Sequence, residues 1–267
     1  MDIMTAIILG IVQGLTEFLP VSSSGHLVLI QKIFGVDAPG LFFDTMLHIG
    51  TLSAVFVVLW KDIWEILKKI IQPLTLYIII ATIPAVIVAL AFKDLIESAF
   101  ESGQFLGICF LFTSALLVTA EQLAKRAENK KSGENMNWID ALIIGVFQAI
   151  AIPPGISRSG ATISGALFRK LDRDFAARFS FLLSIPAILG ALVLQVKDLV
   201  KGKAPANEII DILPVAAGTI TAAIVGFFAV KMMLKIIREK SLYGFAIYTA
   251  AVGVLVLIDQ LITRIIF

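Results

Sequence analysis

Along the 267 residues, long, mostly apolar stretches alternate with short polar ones, with little of the alternation that marks a half-buried soluble helix. A helix needs about 20 consecutive apolar residues to cross a hydrocarbon core, so runs of that length read as membrane spans. Six stand out, at 41–60, 74–92, 104–122, 175–195, 210–231 and 242–263. The first twenty residues are apolar too, but Gln13, Glu17 and Pro20 interrupt them. Neither a basic start nor a small-residue cleavage site marks a secretory signal, so this segment is expected to stay in the mature chain.

The pattern repeats. Aligned without gaps, residues 6–25 and 141–160 are identical at Ala6/Ala141, Ile8/Ile143, Gly10/Gly145, Gln13/Gln148, Ser22/Ser157, Ser24/Ser159 and Gly25/Gly160. The glycines and serines are the informative matches, because apolar identities are common between any two membrane segments. Each copy is an apolar helix of about four turns, a Pro/Ser/Gly break (Pro20 to Gly25; Pro153 to Gly160) and a second short apolar run (27–34; 161–168). Neither half is long enough to span alone, so each pair reads as a re-entrant hairpin whose irregular backbone is buried in protein. Three spans separate the two hairpins, and an odd number of crossings brings the second in from the opposite face.

The polar stretch from Lys125 to Asn137 divides the chain into repeat one (1–123), a linker (124–137) and repeat two (138–267) of a single membrane domain. The predicted fold is an all-α polytopic membrane protein: an inverted-topology repeat of six transmembrane helices and two re-entrant hairpins that meet near the bilayer midplane.

Composition and charge agree. Hydrophobic residues make up 58% of the chain and charged ones 16%, a balance that requires lipid as part of the solvent. On this topology most of the loop Lys and Arg, including Lys61, Lys68, Lys69, Lys125, Arg126, Arg169, Arg173, Arg178 and Arg238, fall on one side. Lys32, Lys93, Lys197, Lys201, Lys203 and Arg264 fall on the other. The excess marks the first side as cytoplasmic, leaving both termini and the mouth of the first hairpin outside. A net charge of +2 with no continuous basic stripe excludes nucleic acid as a partner. The single cysteine, Cys109, lies in an apolar run and reads as packing.

Ionisable groups in membrane segments mark function by default. Glu17, His26 and Arg158 lie in or beside the two breaks, which the topology brings together. The second break, Gly155-Ile-Ser-Arg-Ser-Gly160, sets small residues, the hydroxyls of Ser157 and Ser159, and Arg158 just before a helix start. Free amides, the helix dipole and a guanidinium together make a phosphate site. The first break, from Val21 through Ser22, Ser23 and Ser24 to His26, offers nucleophile and proton-transfer groups. N-capping is the structural alternative for its serines. Gln13 and Glu17 share a helix face at i,i+4 and could both offer oxygen to a divalent cation. Asp44 and His48 repeat that spacing at the start of a span, where a polar interfacial turn explains them equally well, and Glu121 reads as interfacial.

The segments from Gln13 to His26 (QGLTEFLPVSSSGH) and from Pro154 to Thr162 (PGISRSGAT) resemble the two signatures of the undecaprenyl-diphosphate phosphatases, the bacitracin-resistance family. The similarity runs the length of the chain, with the stretch from Phe179 to Pro186 and the Gly50-Thr51 region also in register. The resemblance implies an enzyme of the plasma membrane that removes the terminal phosphate of a polyprenyl diphosphate at the outer face, recycling the lipid carrier for cell-wall polymers and conferring bacitracin resistance. It also implies dependence on Mg²⁺ or Ca²⁺. By position, the family's acidic pair falls on Gln13 and Glu17, its serine and histidine on Ser23 and His26, and its phosphate loop on Ser157, Arg158 and Thr162. Glutamine at position 13, where relatives often carry glutamate, gives a metal site one charge fewer. Either Ser23 or a water could attack.

Two other classes compete. Broken helices in inverted repeats also characterise transporters, including a flippase of the lipid product. A transporter alone, however, has no need of Glu, Ser and His opposite an Arg loop. The phosphatidic acid phosphatase type requires a distal histidine and aspartate where this chain has Ser164 and Phe168. A homodimer is left open.

Overall fold

Inside lipid every backbone N–H and C=O must be satisfied within its own segment, so apolar runs of this length become helices. The computed structural model describes residues 1–35, 41–127, 130–200 and 211–267. Lys201 and Lys203, used above in the loop-charge pattern, and residues 128 and 129 of the linker lie outside the described residues. The first half of the chain forms α1 (Ile3–Thr16), α2 (Ser23–Ile33), α3 (Leu41–Val58), α4 (Trp60–Lys68), α5 (Pro73–Ala91), α6 (Lys93–Ser102) and α7 (Leu106–Arg126). The second forms α8 (Trp138–Ile150), α9 (Arg158–Phe168), α10 (Arg173–Val200), α11 (Ile212–Glu239) and α12 (Tyr243–Ile258), the last prolonged by a π-helical turn at Asp259–Thr263. The protein is all-α; among the described residues an isolated bridge between Lys131 and Leu171 is the only β pairing.

Among the described residues five helices are long and apolar enough to cross a membrane: α5, α7, α10, α11, and α12 with its π-turn. A sixth candidate is α3 taken with α4, but the pair is bent by 80°. The apolar run at 41–60 therefore ends at Leu59, where the chain turns onto a short amphipathic helix whose Trp60 and Trp64 rings stack at 5.5 Å. Large apolar side chains cover the outer faces of α5 (Ile79, Ile83, Ile87) and α11 (Ile220, Ile224, Phe228), a surface suited to lipid. By length and composition this is a multi-pass membrane protein. The 14 residues of α1 and the 13 of α8 rise only about 20 Å, short of a core about 30 Å thick.

The halves interlock. Helix α1 packs on α11, from the second half, while α8 packs on α5, from the first. The matched glycines of the sequence repeat make the matched contacts. A Cβ on Gly10 would fall 2.5 Å from the Gly218 carbonyl oxygen, and one on Gly145 would fall 2.5 Å from that of Ala81. Small residues are what let two helix backbones approach so closely. Helix α7 packs on α12, and α10 crosses α3 and α9. Phe18, Leu117, Ile144, Ile163 and Phe181 share the main core beneath the two breaks. Glu121, read above as interfacial, lies near the end of α7 and is buried against protein: it accepts from Arg173 Nη2 at 2.7 Å and from the Leu242 amide at 3.0 Å, tying α7 to α10 and to the start of α12.

Candidate functional site

Both breaks are shorter than the apolar pattern suggests. The second half-helices begin at Ser23 and Arg158, not at 27 and 161. The reason is local. Ser22 Oγ accepts the Gly25 amide at 3.3 Å and Ser157 Oγ accepts the Gly160 amide at 3.1 Å, so each serine caps a first turn made of polar residues. Ser23 and Arg158, which align in the repeat, thereby become the first residue of α2 and of α9. That is the end of a helix where unpaired N–H groups and the dipole favour an anion.

The breaks touch. Ser22 has φ +70° and Gly155 φ +94°, turning the chain sharply at each break. A Cβ on Gly25 would lie 2.8 Å from Gly155 Cα, so the two glycines let the strands of the breaks pass in contact. Ser159 Oγ donates to the Leu19 carbonyl at 3.0 Å, linking second break to first. Thr113 of α7 stitches the second break from the side, donating to Gly155 O and accepting from the Ser157 amide, both at 3.0 Å.

Glu17 is the hub. Its buried carboxylate pairs through Oε1 with Arg158 Nη2. Its Oε2 accepts from Ser23 Oγ at 2.5 Å and from Gln13 Nε2 at 2.9 Å, and lies 3.5 Å from His48 Nε2. Two polar atoms here are buried with no hydrogen-bond partner: Arg158 Nη1 and Gln13 Oε1. A buried guanidinium N–H without an acceptor is expensive unless a ligand supplies one, and at a helix N-terminus that ligand is an anion. A buried carbonyl oxygen beside a carboxylate calls for a donor or a cation. Gln13 Oε1 and the Glu17 carboxylate would offer oxygens suited to a hard cation such as Mg²⁺, which would need further oxygen ligands from outside the protein. Among the described residues no cluster of three or more His, Cys, Asp or Glu forms a protein-only cage.

The remaining site candidates face elsewhere. His26 Nδ1 lies 2.7 Å from the Ser22 carbonyl oxygen, so that nitrogen carries the hydrogen, and Nε2 accepts from the Tyr248 hydroxyl at 2.8 Å. The imidazole and phenol rings lie parallel at 5.7 Å, with the Phe110 ring edge-on to the imidazole at 5.2 Å. His26 thus occupies the α12 side of α2, with neither ring nitrogen bonded to Glu17. Thr162 Oγ1 bonds the Arg158 carbonyl at 2.9 Å and Ser180 Oγ at 2.6 Å, bracing the loop from behind. Ser24 pairs with Ser22 at 3.3 Å as Ser159 pairs with Ser157 at 3.2 Å. Asp44 accepts from Gln31 Nε2 at 3.1 Å and does not join the hub. His48, Tyr248 and Thr113 are the neighbours that sequence reasoning did not assign. His48 had one signal, its i,i+4 spacing to Asp44, but only packing sets α3 beside the first break.

The family described as bacitracin resistance protein BacA matches residues 6–255. The chain belongs to this family. The BacA match takes in both breaks and every side chain named above, from Gln13 to Tyr248. The chain is 48% identical over 260 residues to an undecaprenyl-diphosphatase of Carboxydothermus hydrogenoformans, covering 97% of this chain and 98% of the relative. It is equally similar, at 48% over 260 residues, to undecaprenyl-diphosphatase 3 of Bacillus cereus. It is 40% identical over 280 residues to an undecaprenyl-diphosphatase of Methanosphaera stadtmanae, with 97% and 98% of the two chains covered.

Proposed function

We propose that this BacA-family protein is an undecaprenyl-diphosphate phosphatase in which Ser23 is the nucleophile and Glu17 its base. It converts the lipid diphosphate to the monophosphate and inorganic phosphate, which returns the carrier to cell-wall synthesis and underlies bacitracin resistance. The observation that carries the residue roles is the Glu17 carboxylate, bridging the Ser23 hydroxyl and the Arg158 guanidinium while Arg158 Nη1 is left unpartnered.

The terminal phosphate is bound by Arg158 Nη1 and the free amides at the starts of α2 and α9. Glu17 takes the Ser23 proton as the Oγ–P bond forms and the bond from phosphorus to the bridging oxygen breaks. Polyprenyl phosphate departs with that electron pair and the proton. A water then attacks the phosphoserine and gives its proton to Glu17, which returns it to Ser23 Oγ as inorganic phosphate leaves. Little covalent work falls to the protein, so positioning and charge stabilisation supply most of the rate. A divalent cation beside Gln13 and Glu17 would offset charge on the diphosphate. His26, held by Ser22 and Tyr248, orients the first turn of α2 and hence Ser23.

The arrangement in the membrane follows the repeat: units 1–123 and 138–267 inserted in opposite senses, six spans, and two re-entrant half-helix pairs. The exchanged packing of α1 on α11 and α8 on α5 supports it, and the excess of Lys and Arg in the loops of one side supports both termini and the site mouth facing outward. The reacting groups named here all come from one chain.

Purified protein given polyprenyl diphosphate labelled in the terminal phosphate should release labelled phosphate and, on acid quench, retain label on Ser23. Ser23→Ala should lose both. A folded Ser23→Ala protein with turnover within about tenfold of wild type, well short of the loss expected for a nucleophile, would transfer the attack to water.

A further inference from the structure

Helix α3 carries neither break, yet it reaches the hub through His48. Its Nε2 lies 3.5 Å from Glu17 Oε2, and its Nδ1 lies 2.7 Å from the Asp44 carbonyl oxygen one turn earlier. A carbonyl oxygen and a carboxylate oxygen both only accept, so the ring faces Glu17 as a donor at both nitrogens: Nδ1–H is held by the backbone of its own helix and Nε2–H is turned to Glu17. Helix α3 is tied to the same hairpin a second time, where Asp44 Oδ1 accepts from Gln31 Nε2 of α2 at 3.1 Å. The frame also holds at the far side of α3. A Cβ on Gly50 would fall 2.3 Å from the Thr219 carbonyl oxygen, so the backbone of α3 is packed closely against α11.

Glu17 Oε2 is the oxygen that must face Ser23 Oγ, and Glu17 is the C-cap of α1, the last residue its helix holds before the chain enters the break. Gln13 steadies it from the same segment. His48 does so from a different helix, on a side chain only about a quarter exposed. We infer that His48 is a positioning residue for the phosphatase reaction, fixing Glu17 Oε2 against Ser23 through the polar edge of its ring. It acts through Glu17 and does not touch the substrate.

The test compares three variants in detergent, each checked by thermal unfolding. His48→Leu keeps the bulk without the polar edge, His48→Asn is polar but too short, and in His48→Gln the amide nitrogen can overlay Nε2. Loss of a partner that orients a reacting group typically costs about 10–100-fold in activity. His48→Leu and His48→Asn should therefore lose about that much kcat, with KM within about threefold, and His48→Gln should recover most of it. Full turnover in His48→Leu, or His48→Gln as impaired as His48→Asn, would overturn the role; the second comparison stands even if the leucine variant fails to fold. The role rests on Glu17 acting on Ser23, so Ser23→Ala is measured alongside. An active Ser23→Ala sinks the proposed chemistry, whereas an inactive Ser23→Ala beside a fully active His48→Leu sinks only the part given to His48.

Discussion

Arg158 has two terminal nitrogens and, in this geometry, two tasks. Nη2 pairs with Glu17 and Nη1 is buried without a partner, available to the phosphate. Replacing it with lysine keeps the charge but supplies one nitrogen on a flexible stem, which can pair with Glu17 or with phosphate but cannot fork between them. What is lost is one charge-assisted hydrogen bond to the phosphate, worth about 1.5–3 kcal/mol. At about 1.4 kcal/mol per tenfold, that is a fall in kcat/KM of roughly 10- to 150-fold. The salt bridge to Glu17 survives in this variant, so the unfolding temperature in detergent should change little. Arg158→Ala should be worse on both counts, because it takes from the buried Glu17 carboxylate the partner of its Oε1, and removing one partner of a buried pair costs up to about 3–5 kcal/mol. The assay is phosphate release from polyprenyl diphosphate over a range of substrate concentrations, with melting curves of the same preparations. An Arg158→Lys protein within about threefold of wild type, where tenfold or more is expected, would refute the division of labour between the two nitrogens.

Two further predictions concern the scaffold. Gly155→Ala should destabilise the protein by about 2–4 kcal/mol, since a side chain at φ +94° is strained and its Cβ would sit 2.7 Å from Cys109 Cβ and 2.9 Å from the Leu106 carbonyl oxygen. An unchanged melting temperature would contradict this. Asp140, at the start of α8, accepts from Arg169 Nε at 2.6 Å, from the Asn137 amide at 3.0 Å and from Lys131 Nζ at 3.2 Å. Burial alone would raise its carboxyl, but Arg169, the Asn137 amide and Lys131 outweigh it and hold the group below the ordinary 3.8. A depressed folded-state value contributes stability above the unfolded value that is lost as pH falls through the folded one. Asp140→Asn should therefore melt lower than wild type at pH 7, and the gap should close only below about pH 4. A gap that persists in stronger acid would show that the carboxylate charge is not what stabilises the turn.

The sequence by itself determined the elements and the chemical inventory. Apolar runs near twenty residues long can only be helices in lipid, and the runs at 74–92 and 104–122 match α5 and α7 to within a few residues. The serine-glycine spacing of the two breaks was equally legible, because capping is a local interaction that reads three residues ahead. Glu17 and Arg158 stood out as ionisable groups beside the breaks, Gln13 by its i,i+4 spacing to Glu17 and Ser23 by the family resemblance, and the structure gathers them around one carboxylate. What only the tertiary structure decided is which side chains face that carboxylate. His26 and His48 look alike in sequence, each in a polar turn at a helix start, but the first is turned to Tyr248, 222 positions away, and the second to Glu17. No local rule separates them. A side chain's partner across helices depends on which faces are pressed together, and those faces are set by backbone approaches at Gly10, Gly50 and Gly145 whose targets lie in distant segments. Periodicity fixes a residue's direction on its own helix, and packing fixes what stands in that direction.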